Sequence, residues 1–368
     1  MTCINIKNHK YAYFSILSIF LIIAVQSINC NSYCIFDKKT IFVDINNLSG
    51  IYDGTINYPF KSISDAIQYA KEYDTVFLFN GIYHERIKIN KPITLIGENK
   101  ESTILDGMYG GTVIYVYANN VEISGLTVRN SGSGFNYDSC GIYVYADKVL
   151  IYDTIIYGNF YGIHIDFSFE STSIYGNQIF NNERDGLIIT NSRKFTISNN
   201  EIFENGKCGC YVDNSVQGVI NNNILTFNTI TGITFRESSN NDFRYNYLDG
   251  NFEYGINMND SQSNDVFYNT IKNCARGVYL YDSGRNEIEN NNFLENSKNH
   301  AFFHTVIGRL SINEIVSSGL NTWDENYWDN LDGNRIYAIE GVLSFFSQNI
   351  YILNYDRSPA SKPYDFSR

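Results

Sequence analysis

Between residues 232 and 255 the chain reads Gly232-Ile-Thr-Phe-Arg-Glu-Ser238-Ser-Asn-Asn241-Asp-Phe243-Arg-Tyr-Asn246-Tyr-Leu248-Asp-Gly-Asn251-Phe-Glu-Tyr-Gly255. Three alternating apolar stretches, each too brief for a helix, are separated by polar residues that favour turns. Then the pattern starts again. A Gly followed by an apolar-x-apolar pair recurs at Gly141, Gly162, Gly186, Gly209, Gly232, Gly255 and Gly277. Six places after Gly stands Ser168, Ser192, Ser215, Ser238, Ser261 or Ser283. Fourteen places after Gly stand Asn200, Asn223, Asn246, Asn269 and Asn291; nineteen after stand Asn205, Asn228, Asn251 and Asn296, with Cys274 in one place. Leucine-rich repeats share this period, but their Leu spacing is absent.

These columns predict an all-β fold, a right-handed single-stranded parallel β-helix with coils of about 22–23 residues. Ten to twelve coils of three strands each would stack about 4.8 Å apart. Apolar columns such as Ile163, Leu187, Cys210, Ile233, Ile256 and Val278 then form the core. The 49 Asn, poor formers of helix or ordinary strand, find a use as stacked amide ladders. Asn also tolerates the left-handed backbone of tight turns, so the ladder residues are expected there. Degenerate coils extend upstream through Val121–Asn130. Ahead of them, Ser62–Ala70 reads as a short amphipathic helix capping the open end, with Ser62 and Asp65 as its capping box. The expected divisions are a signal peptide or membrane anchor (1–31), an N-terminal cap with the first coils (40–110), the repeats (111–299) and a C-terminal cap (300–368) holding Trp323 and Trp328.

The net charge of −12 and pI near 4.9 exclude a nucleic-acid binder, which needs clustered Lys and Arg. Lys7, His9 and Lys10 precede an apolar run over residues 11–28, so this segment engages the membrane before or without cleavage. The remainder is expected in the periplasm, at the cell surface or outside the cell. Seven Cys match neither a zinc site nor a small disulfide framework. Cys140 and Cys208 fall three coils apart, too far to bond; the pairing of Cys30 and Cys34 is left open. Sequons at Asn47 and Asn259 fit surface glycosylation.

The segments Gly81-Ile-Tyr83-His-Glu85, Leu95-Ile-Gly97 and Asp106-Gly107, the Gly/Asn repeat and Asn326-Tyr-Trp-Asp329 together resemble the NosD family of β-helix (PbH1-repeat) proteins. The resemblance spans about residues 40–365. It implies the β-helix fold and copper-accessory activity, and the wider repeat family includes carbohydrate-binding and sugar-hydrolysing members.

The strand after each Gly presents two outward rows. Tyr143, His164, Tyr211 and Tyr279 stand two places after Gly; Tyr145, Asp166, Asp213, Arg236 and Tyr281 stand four after. Aromatic plates mixed with carboxylates suit a glycan or another surface partner laid along the solenoid, without catalysis. The plain alternative is a solvated sheet face. A polysaccharide hydrolase, lyase or epimerase would use Asp166 and Asp213, two coils and about 9–10 Å apart, at the outer limit for an inverting pair. The paired-Asp and His-Gly signatures of polygalacturonases are absent. So is the Asp-Pro-His pattern of alginate epimerases, although Tyr161-Gly-Ile-His164-Ile-Asp166 sits at a comparable spot. No cofactor is required. Calcium would look to Asp213, Glu237 and Asp260 beside Arg236. Copper would need clustered soft donors, and only His300 and His304 lie close together outside the N-terminal segment.

Overall fold

The computed structural model describes residues 38–134, 139–307, 321–331, 333, 335–345 and 348–366. The segment 1–31, Cys30 and Cys34 lie outside them. One coil shows the plan: strands Thr231–Arg236, Asp242–Arg244 and Tyr247–Asp249 follow one another, and Tyr254–Asn259 begins the next turn. Each strand joins a different sheet and pairs in parallel with its equivalent one coil away; Ile233 lies between Cys210 and Ile256. Among the described residues the sheets hold 12, 12 and 11 strands. Sheet 1 runs from Thr40–Val43 to Thr322–Asp324, and sheet 3 from Gly81–Tyr83 to Tyr327–Trp328. Sheet 2, which carries the strand after Gly, starts at Ile87–Ile89 and ends in an antiparallel hairpin, Tyr337–Phe345 with Gln348–Asp356. The expected parallel β-helix is the fold, with Leu187, Cys210, Ile233, Ile256 and Val278 buried in its core.

The ladders show why Asn recurs. Asn223 Oδ1 accepts from both the backbone N–H and the Nδ2 of Asn200, each at 3.0 Å, and Asn200 Nδ2 also donates to Ile174 O at 2.9 Å. The same arrangement repeats from Asn177 to Asn326 and, at the next corner, from Asn159 to Asn251. Ser192, Ser215, Ser238 and Ser261 form a hydroxyl ladder in which each Oγ accepts from the backbone N–H one coil earlier. These ladders give the corner amides they join buried partners; leaving one unpaired would cost about 1–3 kcal/mol. One expectation is corrected. The left-handed residue is the one before the ladder Asn: Asn199, Asn222, Tyr245, Tyr268 and Asn290 all have φ of 54–58°. The ladder Asn faces inward, and the left-handed turn position before it is held by Asn in three of these coils and by Tyr in two.

The Gly column has a separate cause. A Cβ on Gly162 would lie 2.2 Å from Gly186 O and 3.0 Å from Asn182 Nδ2. Backbone and ladder amide approach so closely that no side chain fits.

At the N-terminal end the helix Ile63–Tyr69 covers the core with Ile63, Ala66 and Ile67. Ser62 Oγ accepts from Asp65 N–H at 3.3 Å, as a cap should, but the reciprocal carboxylate is Glu85, which accepts from Ile63 and Ser64 N–H at 2.8 and 3.0 Å. Tyr83, fully buried, donates to Phe79 O and Val43 O. Asn47 is also buried, its Nδ2 donating to Pro59 O at 2.6 Å, so that sequon is closed to glycosylation in the folded chain.

At the C-terminal end the ladder Asn291–Asn326 stops on Asp356, whose Oδ2 accepts from Asn326 N–H and Nδ2 and from Trp328 Nε1. Trp328 stacks between Phe293 and Tyr337, at centroid distances of 4.4 and 4.1 Å. His300 takes the Gly column's place in this last strand, which is paired with Arg276–Tyr281.

Candidate functional site

Sheet 2 presents all nine singled-out side chains on one outward face. The register places Tyr143 beside His164, and Asp166 beside Thr190, which in turn neighbours Asp213. Asp213 sits beside Arg236, and Asn259 beside Tyr281. The face has two unlike halves.

The N-terminal half is closed. Cys140, Phe160, Tyr161 and Ile188 form a small apolar cluster outside the solenoid, with Tyr143 and Tyr211 packed against it. Beneath it His164 is 2% exposed, and its Nε2 lies 2.8 Å from Thr190 Oγ1. Thr190 donates to Asp166 Oδ1 at 2.7 Å, so its oxygen accepts from a His164 protonated at Nε2. Asn191 Nδ2 and the Tyr143 hydroxyl also donate to Asp166, at 3.1 and 3.2 Å. Burial pushes the His164 imidazole down to about 4, with Asp166 working against it, so the ring is neutral. Burial and then Asp166 push the Tyr143 phenol up.

The C-terminal half is open. A hollow of about 240 Å³ lies between Tyr211 and Tyr254, with Thr231 and Thr234 on its floor and Lys207, Arg236, Glu253, Asn257 and Asn259 around it. Arg236 holds Asp213 bidentately, Nε–Oδ1 2.7 Å and Nη2–Oδ2 2.8 Å. Farther along, Tyr279 stacks between Tyr254 and Phe302, at 5.1 and 6.0 Å, with the Arg276 guanidinium 5.6–5.9 Å from all three rings. Tyr281 meets His304 edge-on at 5.2 Å, and Tyr145 lies against Phe167 at 5.7 Å. The stacked rings turn their faces to each other along the solenoid axis, so the face offers hydroxyls, amides and ring edges rather than free plates.

Sequence reasoning missed Lys207, Thr231 and Tyr254. Strict alternation sends the residue before Gly inward. The pairing instead runs from Cys208–Thr231 to Cys210–Ile233, with no partner given to the Gly between them. The backbone kinks at Gly and turns the preceding side chain outward. A third row, one place before each Gly, was the available signal for Thr231 and Tyr254, while Lys207, two places before Gly209, lies on the outward side by plain alternation.

The Asp166 and Asp213 carboxylates are both engaged by neighbouring side chains. Both Asp213 oxygens are taken by the Arg236 guanidinium, while Asp166 accepts three internal hydrogen bonds. For a metal the donors do not fit. Among the described residues no three His, Cys, Asp or Glu converge. Cys140, Cys208, Cys210 and Cys274 are buried, and burial pushes the Cys208 and Cys274 thiols up to about 12, against thiolate ligation. His300 Nε2 binds Asp329 at 2.7 Å and His304 Nε2 binds Ser344 Oγ at 2.8 Å. Four residues apart on one strand, the two rings lie about 13 Å apart.

Coils, corner ladders and capped ends define a parallel β-solenoid with one functionalised sheet. The NosD family profile, described as a periplasmic copper-binding protein, matches residues 67–207 and 171–333. The chain belongs to the NosD family. No curated protein shows significant sequence similarity to it. Solved structures with a similar fold include the A-module of Azotobacter vinelandii mannuronan C-5 epimerase AlgE4 (15% identity, TM-score 0.54, covering 81% of this chain and 88% of that one). The A-module of AlgE6 from the same organism is 15% identical (TM-score 0.54, covering 86% and 97%). XylC in complex with xylose is 10% identical (TM-score 0.56, covering 78% and 83%). At these identities the likeness is one of fold. No helix of the described residues is long and apolar enough to cross a membrane.

Proposed function

We propose that this NosD-family protein is an exported glycan-binding protein that holds a sugar unit in the hollow between Tyr211 and Tyr254 without chemically changing it. The supporting observation is that hollow: an open concavity ringed by two phenols, two hydroxyls, two amides, a Lys, an Arg and the Glu253 carboxylate, while Asp213 and Asp166 are committed to internal partners. Hydroxyl-rich ligands need many neutral donors and acceptors at fixed spacing, which stacked coils supply. A glycan array followed by calorimetry on the best binder tests it. Tyr211→Ala and Tyr254→Ala should each weaken binding about tenfold or more; binding unchanged in both, or a blank array, sinks the reading.

A second reading rests on the Tyr143–Asp166–Thr190–His164 chain, whose neutral imidazole and paired phenol are groups an enzyme of acidic polysaccharides could use. It predicts new reducing or unsaturated ends from such polymers, lost in His164→Gln. No turnover on a broad panel removes it. For copper delivery, calorimetry with Cu(I) and Cu(II) on the reduced protein should show no saturable binding by the residues 38–366.

A further inference from the structure

The hollow on sheet 2 interrupts a row of side chains that is filled on either side of it. In these coils the side chain before Gly leans onto the side chain two places after Gly in the next coil. Cys208 Sγ lies 3.7 Å from Thr234 Oγ1, the Tyr254 and Tyr279 rings stack at 5.1 Å, and the Arg276 guanidinium sits 5.6 Å from the Phe302 ring. The same step leads from Asp185 to Tyr211 and from Thr231 to Asn257. Cys208–Thr234 and Thr231–Asn257 are the small steps, set between Tyr211 on one side and the Tyr254–Tyr279 stack on the other. The space they leave is about 240 Å³. Pockets for drug-sized ligands begin at about 300 Å³, so this one suits a single ring.

The charges around that space are unequally committed. Arg236 is held by both oxygens of Asp213, with Glu237 Oε1 4.0 Å from its Nε. Lys207 Nζ stands 3.7 Å from Oδ2 of the buried Asp185. Arg276 is turned onto the Tyr254, Tyr279 and Phe302 rings instead. Both cations that line the hollow therefore have a carboxylate of this chain beside them. Glu253, exposed at the rim, forms no ion pair among the described residues. At the other end of the strand Tyr254–Asn259, the buried Asn259 Oδ1 accepts no hydrogen bond, and a ligand donor would satisfy it.

We infer that the sugar unit taken by the hollow carries a free amine, as an amino sugar does, and that uronic acids are rejected. The inference rests on the glycan-binding reading above and adds the ligand's charge to it. An ammonium beside Glu253 gains a charge-assisted hydrogen bond that no described group of this chain supplies. Ring hydroxyls provide the donor for Asn259 Oδ1. A uronate carboxylate would have to draw Lys207 from Asp185 or Arg236 from Asp213, leaving a carboxylate of the protein without its cation. It would also approach Glu253 and a net charge of −12, a field that draws an ammonium sugar in.

Calorimetry of the full chain in nonionic detergent, which keeps the apolar run 11–28 from associating, tests this with three probes. They are the tetrasaccharides of glucosamine, N-acetylglucosamine and galacturonic acid, compared at about pH 6, where the amine is protonated, and at physiological salt. The glucosamine form should bind about tenfold or more tighter than either of the others. Glu253→Gln should weaken the glucosamine form about tenfold and the N-acetylated form far less, bringing the two together, with unchanged circular dichroism. Galacturonate bound as tightly as glucosamine, or a glucosamine preference that survives Glu253→Gln, overturns the inference. The glycan-binding reading fails separately. If any of the three probes binds and Tyr211→Ala and Tyr254→Ala weaken it, the hollow remains a glycan site whatever its charge preference. No binding of the glucosamine form overturns the inference, and the glycan reading falls with it only when the array is blank as well.

Discussion

At its N-terminal end the solenoid is closed by an added element, and at its C-terminal end by a change in the repeat itself. The helix Ile63–Tyr69 covers the first coil and is secured by Glu85 on its first N–H groups and Lys91 Nζ on the Ala70 carbonyl at 2.6 Å. The last coil instead substitutes its own columns: Asp356 for the next ladder Asn, Trp328 for an aliphatic core residue, and His300 for Gly. A helix can cover backbone edges because it has none of its own to offer. Substituted strands close the core yet leave a sheet edge, and the strand Gln348–Asp356 shows it. Ladders explain the difference. The bonds to each ladder Oδ1 run in one direction along the axis, so the last ladder Asn needs an acceptor that lacks a further partner, which a carboxylate supplies.

The largest effect that would break this comparison is expected inside the array. Gly162→Ala places a Cβ against Gly186 O and should cost about 3–5 kcal/mol in chemical denaturation; a cost below 1 kcal/mol would show that the columns yield as the ends do. Next, Asp356→Ala strands three buried donors and should cost about 3 kcal/mol or more, with hydrogen exchange rising first at Asn326 and Trp328. Acid comes third. The folded His164 pKa of about 4 lies below its ordinary 6.5, so the unfolded chain takes up the proton first. Stability therefore falls as pH drops from about 6.5 to about 4, by an amount on the order of 2–3 kcal/mol. Burial lowers His300 as well, and adds to the fall with the same sign. Urea titrations across this range should show a flatter slope in His164→Gln. Smallest is Glu85→Ala, which uncaps the helix for about 1–2 kcal/mol and should leave the coils after residue 111 protected from exchange; global unfolding would mean that the two ends are coupled.

Much of this was legible in the chain because spatial neighbours in a solenoid are also sequence neighbours at a fixed offset. Ile233 touches Cys210 and Ile256 one period away, so a column in the sequence is a column in space. The Ser and Asn ladders, the Gly column and the inward Cys210 follow from that alone. The left-handed position was misplaced by one residue, since period reveals which residues stack but not the backbone angle between them. The outer face of sheet 2 was legible only in part. Its rows after Gly were visible, while Thr231 and Tyr254 depended on a kink that strict alternation does not contain.

The amino-acid sequence by itself determined the parallel β-helix, its register and its core, because one local rule is repeated and each coil supplies the template for the next. Only the tertiary structure decided which carboxylates are spent on internal partners, which half of the face is dry and which is hollow, and how each end is closed. Two of those features join residues outside the repeat columns, Glu85 to Ile63 and Asp356 to Asn326; in the third, Arg236 to Asp213, the period brings the two side by side and side-chain direction decides the contact. Their energies depend on burial and direction, which appear when the coils are stacked.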